Sequence, residues 1–161
     1  MFMYGHKFIH PGQLEKTASS FRASGDSVAL ALGCFDLFHV GCIRFLQDAA
    51  AHGRLIAGVY EDADVTDIRG PGRPILPLEQ RLVMCAAFEC VSAVTPVTVQ
   101  GLAQTIKAAA PDFLIVGSDQ EDLCRQMGVD AETSKSCRVV AMGGRWETCS
   151  EWVVQKVQGL V

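Results

Sequence analysis

A chain of 161 residues, 49% hydrophobic and 20% charged, holds enough apolar material for one well-buried core and is not the composition of a disordered chain. Its net charge of −4 and its lack of any basic run argue against a nucleic-acid partner. No apolar stretch reaches the roughly 18 residues that a membrane span requires, and residues 1–10 have no apolar core of signal-peptide type, so a soluble cytoplasmic protein is expected.

Seven cysteines, at 34, 42, 85, 90, 124, 137 and 149, form no C-x-x-C pair and read as reduced thiols, several of them core fillers. Residues 1–12 carry His6 and His10 without spaced partner ligands, so they read as an extended arm or edge with no metal site. Residues 13–23 (QLEKTASSFRA) predict a short helix, closed by the turn Ser24-Gly25-Asp26. Residues 27–32 predict a first core strand. A turn from Gly33 to Gly41 follows, and Ile43, Leu46, Ala49 and Ala50 then recur at helical spacing up to a stop at Gly53.

A strand running through a glycine turn into a helix makes an anion site, because free backbone N–H groups and the positive end of the helix dipole converge there. His39 and Cys42, three apart, share a face of the first helical turn. The local pattern fits equally an ordinary turn in which His39 caps or packs.

Residues 54–60 (RLIAGVY) predict a second strand, apolar on both faces as in a covered parallel sheet. Residues 61–77 read as the longest loop. It opens on Glu61, Asp62, Asp64 and Asp67 and continues through Arg69-Gly70-Pro71-Gly72-Arg73-Pro74. A purely structural loop explains the prolines and glycines but not the two arginines beside them. A helix over 78–89 turns Leu82, Cys85, Ala86 and Phe88 inward, and residues 91–97 supply a strand. A helix over 101–110 is stopped by Pro111. A strand over 113–116 ends in Gly117-Ser118-Asp119, a short helix covers 121–127, a last strand covers 138–142, and a terminal helix runs through 150–157. Five alternations of strand and helix predict a single α/β domain, a doubly wound parallel sheet covered on both faces. Ligands of such sheets bind beyond the carboxyl ends of the strands, where the strand order switches direction.

Residues 33–46 (GCFDLFHVGCIRFL) and 70–81 (GPGRPILPLEQR) resemble the signatures of the nucleotidyltransferases that carry an H-x-G-H motif. Within that superfamily the pattern is most similar to the bacterial heptose-phosphate adenylyltransferases, with the glycerol-3-phosphate cytidylyltransferases close by. The resemblance covers roughly residues 13–157 and weakens after Pro111. It implies a Rossmann-like five-stranded sheet of order 3-2-1-4-5, with residues 13–161 as the nucleotidyltransferase-like domain and the arm, 1–12, before it. It further implies that AMP, or alternatively CMP, passes from ATP or CTP with Mg2+ to a phosphorylated small molecule such as a sugar phosphate, with release of pyrophosphate. Relatives often form homodimers.

Carried over position by position, the resemblance puts His39, Cys42 and Arg73 in catalytic places. It puts Gly33, Cys34, Phe35, Asp36, Gly41, Arg81, Gly117, Asp119, Thr148 and Ser150 beside the nucleotide. Asp36 would order the turn or cap it locally. Arg81 fits a helix-surface ion pair with Glu79 or Asp67 as well as a phosphate contact. Thr148 and Ser150 fit a helix cap as well as a phosphate site.

Four positions depart from the family pattern. Cys42 stands for the second histidine, Val116 for a lysine, and Ala31 and Leu32 for a threonine–asparagine pair. At a helix N-terminus the Cys42 pKa is expected to fall toward a thiolate, which would repel a triphosphate. Val116 is expected to remove a positive charge from the crevice. Three readings therefore stand: a transferase with a modified site, a non-catalytic nucleotide- or phosphate-binding module, and a partner-binding relative with a vestigial crevice. The intact 70–81 loop argues against the last.

Overall fold

The structure, a computed structural model, describes residues 5–117, 137–142 and 150–159. Strand β1 (Val28–Gly33) is buried at every position, as a strand covered on both faces and flanked on both edges must be. It pairs in parallel with β2 (Arg54–Tyr60) on one side and with β4 (Phe113–Gly117) on the other. Beyond them, β3 (Val91–Val97) pairs with β2 and β5 (Arg138–Met142) with β4, again in parallel. The order is β3-β2-β1-β4-β5, the expected 3-2-1-4-5.

Alternate residues of each strand face opposite layers. Val28, Leu30 and Leu32 of β1, with Ile56, Leu114 and Val116, pack against Leu14 and Ala18 of α1 (Leu14–Ala23) and against Leu102, Ile106 and Ala109 of α5 (Leu102–Ala109). Ala29, Ala31, Leu55, Ala57 and Ile115 face the other way, onto Leu46 and Ala49 of α2 (Val40–Ala50) and Leu82, Cys85 and Ala86 of α4 (Leu78–Ala86). Helices thus cover both faces. The last helix, α6, spans Ser150–Gln158.

The expected 61–77 loop contains a helix, α3 (Asp62–Arg69). Its apolar content is slight, but Val65 is buried and Ile68 packs beside it on the layer of α1 and α5. Asp62 and Asp64 lie in its first turn, where carboxylates suit the positive end of the helix dipole. Gly70, at φ +93°, ends it in a conformation that a side chain would strain. The helix expected over 78–89 stops at Ala86, and Phe88 beyond it is only partly buried. The helix expected over 121–127 lies outside the described residues.

Of the two readings of the N-terminal segment, arm or edge, the described residues show an edge beside β3. Two 3-10 turns, Gly5–Lys7 and Pro11–Gln13, flank Phe8, which bridges in parallel to Val94 of β3. The Ile9 N–H donates to the Val94 carbonyl at 2.9 Å, and Lys7 Nζ donates to the Phe88 carbonyl at 2.8 Å.

Strand order changes direction between β1 and β4. Their carboxyl ends, Gly33 and Gly117, therefore flank the crevice in which a sheet of this kind binds ligands.

Candidate functional site

The turn that leaves β1 is fixed from below by aromatic rings. A side chain at position 33 would come within 2.8 Å of the Phe35 ring, so only glycine leaves room for it. Phe35 takes φ +48°, a left-handed backbone that costs a non-glycine residue energy and persists only where surroundings hold it. Its ring lies 6.0 Å from Phe38 and 6.1 Å from Phe45, and Phe38 stacks on Phe88 at 5.3 Å. This column sets the path of residues 34–39.

Asp36 follows at once and is 4% exposed. Its Oδ1 accepts from the backbone N–H groups of Ile75 (2.7 Å) and Leu76 (3.0 Å), and its Oδ2 accepts from Arg73 Nη1 at 2.5 Å. One carboxylate therefore fastens the arginine loop, 37–40 residues away in sequence, to the first turn. Asp36 orders the site, as one of the two expectations had it, but it does so through a distant loop rather than as a local cap.

His39 is the N-cap of α2 and its Nδ1 accepts from the Gly41 N–H at 3.1 Å. A ring nitrogen that accepts carries no proton, so the neutral ring carries its proton on Nε2. The N–H groups of Cys42 and Ile43 both reach the His39 carbonyl, at 2.9 and 3.3 Å. The donors near Gly41 expected to be free are thus engaged within the first turn. What the turn presents to an anion is the helix dipole and the imidazole rather than a bare row of N–H groups.

Cys42 corrects a second expectation. Burial pushes its thiol above the usual 9.0, outweighing the backbone hydrogen bonds and the Arg69 charge that pull it down. Its Sγ lies 3.8 Å from the Leu37 carbonyl, a weak donor contact. At neutral pH the group is a thiol, and the expected thiolate repulsion of a triphosphate does not arise.

The two arginines separate sharply. Arg81 is 0% exposed. Its Nε donates to the Leu76 carbonyl at 3.0 Å, Nη1 to the Cys34 carbonyl at 2.6 Å, and Nη2 to Asp62 Oδ1 at 2.6 Å. It is neither the surface ion pair with Glu79 or Asp67 nor, buried and with three of its five N–H groups engaged, a residue that offers an open fork to phosphate. It ties the end of β1, the arginine loop and the start of α3 together. By contrast, the only hydrogen bond of the Arg73 guanidinium among the described residues is the one to Asp36. Its side chain is 10% exposed.

Gly33, Cys34, Phe35, Asp36, His39, Gly41, Cys42, Arg73 and Arg81 come together in this network of turn, loop and helix starts, and Gly117 ends the neighbouring strand. Asp119 and Thr148 lie outside the described residues, and Ser150 is described only as the first residue of α6. Val116, Ala31 and Leu32 are fully buried core residues. Val116 packs in the layer of α1 and α5, so its side chain is part of the core and not of the crevice wall. The residue that sequence reasoning missed is Asp62. In the sequence it reads as part of an acidic loop, and no spacing signal ties it to Arg81, 19 positions on.

Among the described residues no group of three histidines, cysteines or carboxylates is arranged to hold a metal ion. No helix of the described residues is long and apolar enough to cross a membrane.

A family profile described as cytidylyltransferase-like matches residues 30–148. The chain is 38% identical over 144 residues to the Bifunctional protein HldE of Alkalilimnicola ehrlichii, a match over 89% of this chain and 28% of that protein. It is also 38% identical over 112 residues to the Bifunctional protein HldE of Halorhodospira halophila, over 69% of this chain and 23% of that protein. The chain thus spans about a quarter of the length of these curated relatives. Among solved structures, the lipopolysaccharide core biosynthesis protein of Thermoplasma volcanium GSS1 superposes with a TM-score of 0.64 at 20% identity, over 76% of this chain and all of that one. Pantoate-beta-alanine ligase of Francisella tularensis, solved with beta-gamma ATP and beta-alanine, superposes at 0.63 with 11% identity, over 87% of this chain and 67% of that one. Both likenesses show the fold.

Proposed function

We propose, from the premise that the chain belongs to the cytidylyltransferase-like family, that it transfers a nucleotidyl group from a nucleoside triphosphate to a phosphorylated small molecule and releases pyrophosphate. The transferred group is AMP ahead of CMP, and the acceptor is a sugar phosphate. The transferase domain is residues 13–161, with 1–12 as its arm. A cytoplasmic homodimer belongs to the same reading.

The observation that carries it is the Asp36–Arg73 pair, which holds a guanidinium beside the turn whose helix start His39 caps. Positive charge, an imidazole donor and a helix N-terminus then face the crevice at the switch point together. The acceptor phosphate attacks the α-phosphorus of the nucleotide, a new P–O bond forms, and the bond to the pyrophosphate oxygen breaks. No protein nucleophile is needed, so the chain contributes position and charge. His39 Nε2–H and Arg73 stabilise the charge that builds on the leaving phosphates. Arg81 acts indirectly, by holding the loops that carry them. Magnesium enters as part of the nucleotide substrate, bound by phosphate oxygens.

The test is pyrophosphate release from ATP and from CTP, with magnesium, across a panel of sugar phosphates and polyol phosphates. Turnover with ATP and a sugar phosphate is expected. Tight nucleotide binding without release on any acceptor would overturn the transferase reading in favour of a binding module.

A further inference from the structure

We infer that Asp36 and Arg73 act as one unit: the carboxylate sets where the guanidinium meets the triphosphate, and the guanidinium masks the carboxylate from it. The inference rests on the nucleotidyl-transfer reading above and specifies how that site is built. A carboxylate at the mouth of an anion site is unfavourable on its own, because like charges repel more strongly where water is excluded. Asp36 sits there all the same, three residues before the cap of α2, with its side chain 3% exposed.

Its contacts say which part of it needs the charge. Oδ1 accepts two backbone N–H groups, from Ile75 and Leu76, and an amide oxygen would accept them as well. Only Oδ2, against Arg73 Nη1, faces a formal positive charge. The guanidinium is a rigid plane, so holding one nitrogen restricts where its other donors can point. Asp36 is therefore a positioning residue for Arg73, and Arg73 neutralises the charge that does the positioning. Removing Arg73 has two costs, a lost donor and an exposed carboxylate. Removing the Asp36 charge as well relieves the second.

The test is a double-mutant cycle on the full chain. Calorimetric titration with magnesium–ATP and magnesium–CTP at fixed ionic strength compares the parent, Asp36→Asn, Arg73→Ala and the double variant. Arg73→Ala is expected to bind roughly tenfold or more weaker, the loss of one charge-assisted hydrogen bond. Asp36→Asn should lose less. The double variant should bind about threefold or more tighter than Arg73→Ala, a recovery that loss of a merely structural contact cannot produce. A double variant as weak as Arg73→Ala, or weaker, overturns the inference. Thermal melts without ligand check folding, and Arg73→Gln, which keeps an amide donor for Asp36, replaces Arg73→Ala in the cycle if that variant does not fold. A parent that binds neither nucleotide overturns the transferase reading and the unit with it. A parent that binds well, with no recovery in the double variant, overturns the unit alone.

Discussion

Cys42 lies in the first turn of α2, half-buried, three residues after the His39 cap. Its charge state was not readable from the sequence. Position at a helix start is local information and argues for a lowered pKa, whereas burial is set by the neighbouring elements and argues the other way. Burial wins. A neutral thiol is a weak donor but not a repellent one, so the substitution leaves room for turnover. Replacing it by histidine, the family residue, should raise the rate of pyrophosphate release by about tenfold, or roughly 1.4 kcal/mol of barrier. Nucleotide affinity should change less, because the added donor meets charge that develops only in the transition state. Single-turnover release and calorimetric titration on the same preparation separate the two. An unchanged release rate with intact binding would place position 42 outside the reaction.

Between elements, the crevice wall depends on Arg81. It is the largest fully buried side chain described, and it joins α4 to the end of β1, to the arginine loop and to the start of α3. A lysine has one point of charge and cannot span a carboxylate and two carbonyls lying in different directions. Arg81→Lys should therefore destabilise the fold by about 2–4 kcal/mol, the scale of a broken buried charge network. Thermal unfolding should register the loss as a fall of roughly 5–15 °C. A shift within a degree would make the three contacts incidental. β1 and β2 were legible because each is a short run that is apolar on both faces, as a covered parallel sheet requires. The strand order was legible through the 33–46 and 70–81 signatures, not through periodicity. The helix α3 was not, since its acidic first turn and the prolines and glycines after it resemble a loop, and its inward face is little more than Val65 and Ile68. The role of Arg81 was hidden for a related reason. A buried guanidinium is stable only with its partners in place, and those partners lie 5, 19 and 47 residues away along the chain.

At the scale of the whole molecule, Cys42, Cys85, Cys90 and Cys137 share one electrostatic feature. Burial raises the pKa of each. The folded protein keeps these protons after the unfolded chain has begun to release them. The associated stability is complete below the unfolded thiol value, roughly 8.5, and is lost as pH climbs toward the folded values. The melting temperature should accordingly fall over the alkaline range above about pH 8.5. Cys85→Ala, less stable at pH 7 for its lost packing, should show a shallower fall over that range. Parallel slopes for the two proteins would assign the alkaline loss to other groups. The outer edge of β3 has a different kind of consequence. A sheet this apolar is a template for any stray backbone that reaches an open rim. Phe8 and Ile9 lie against that rim at Val94, its midpoint, and Lys7 is tied down beside them. The rim at Val94 is thus occupied by the chain's own backbone, and a neighbour could pair there only by displacing residues 7–9, which lie outside the crevice.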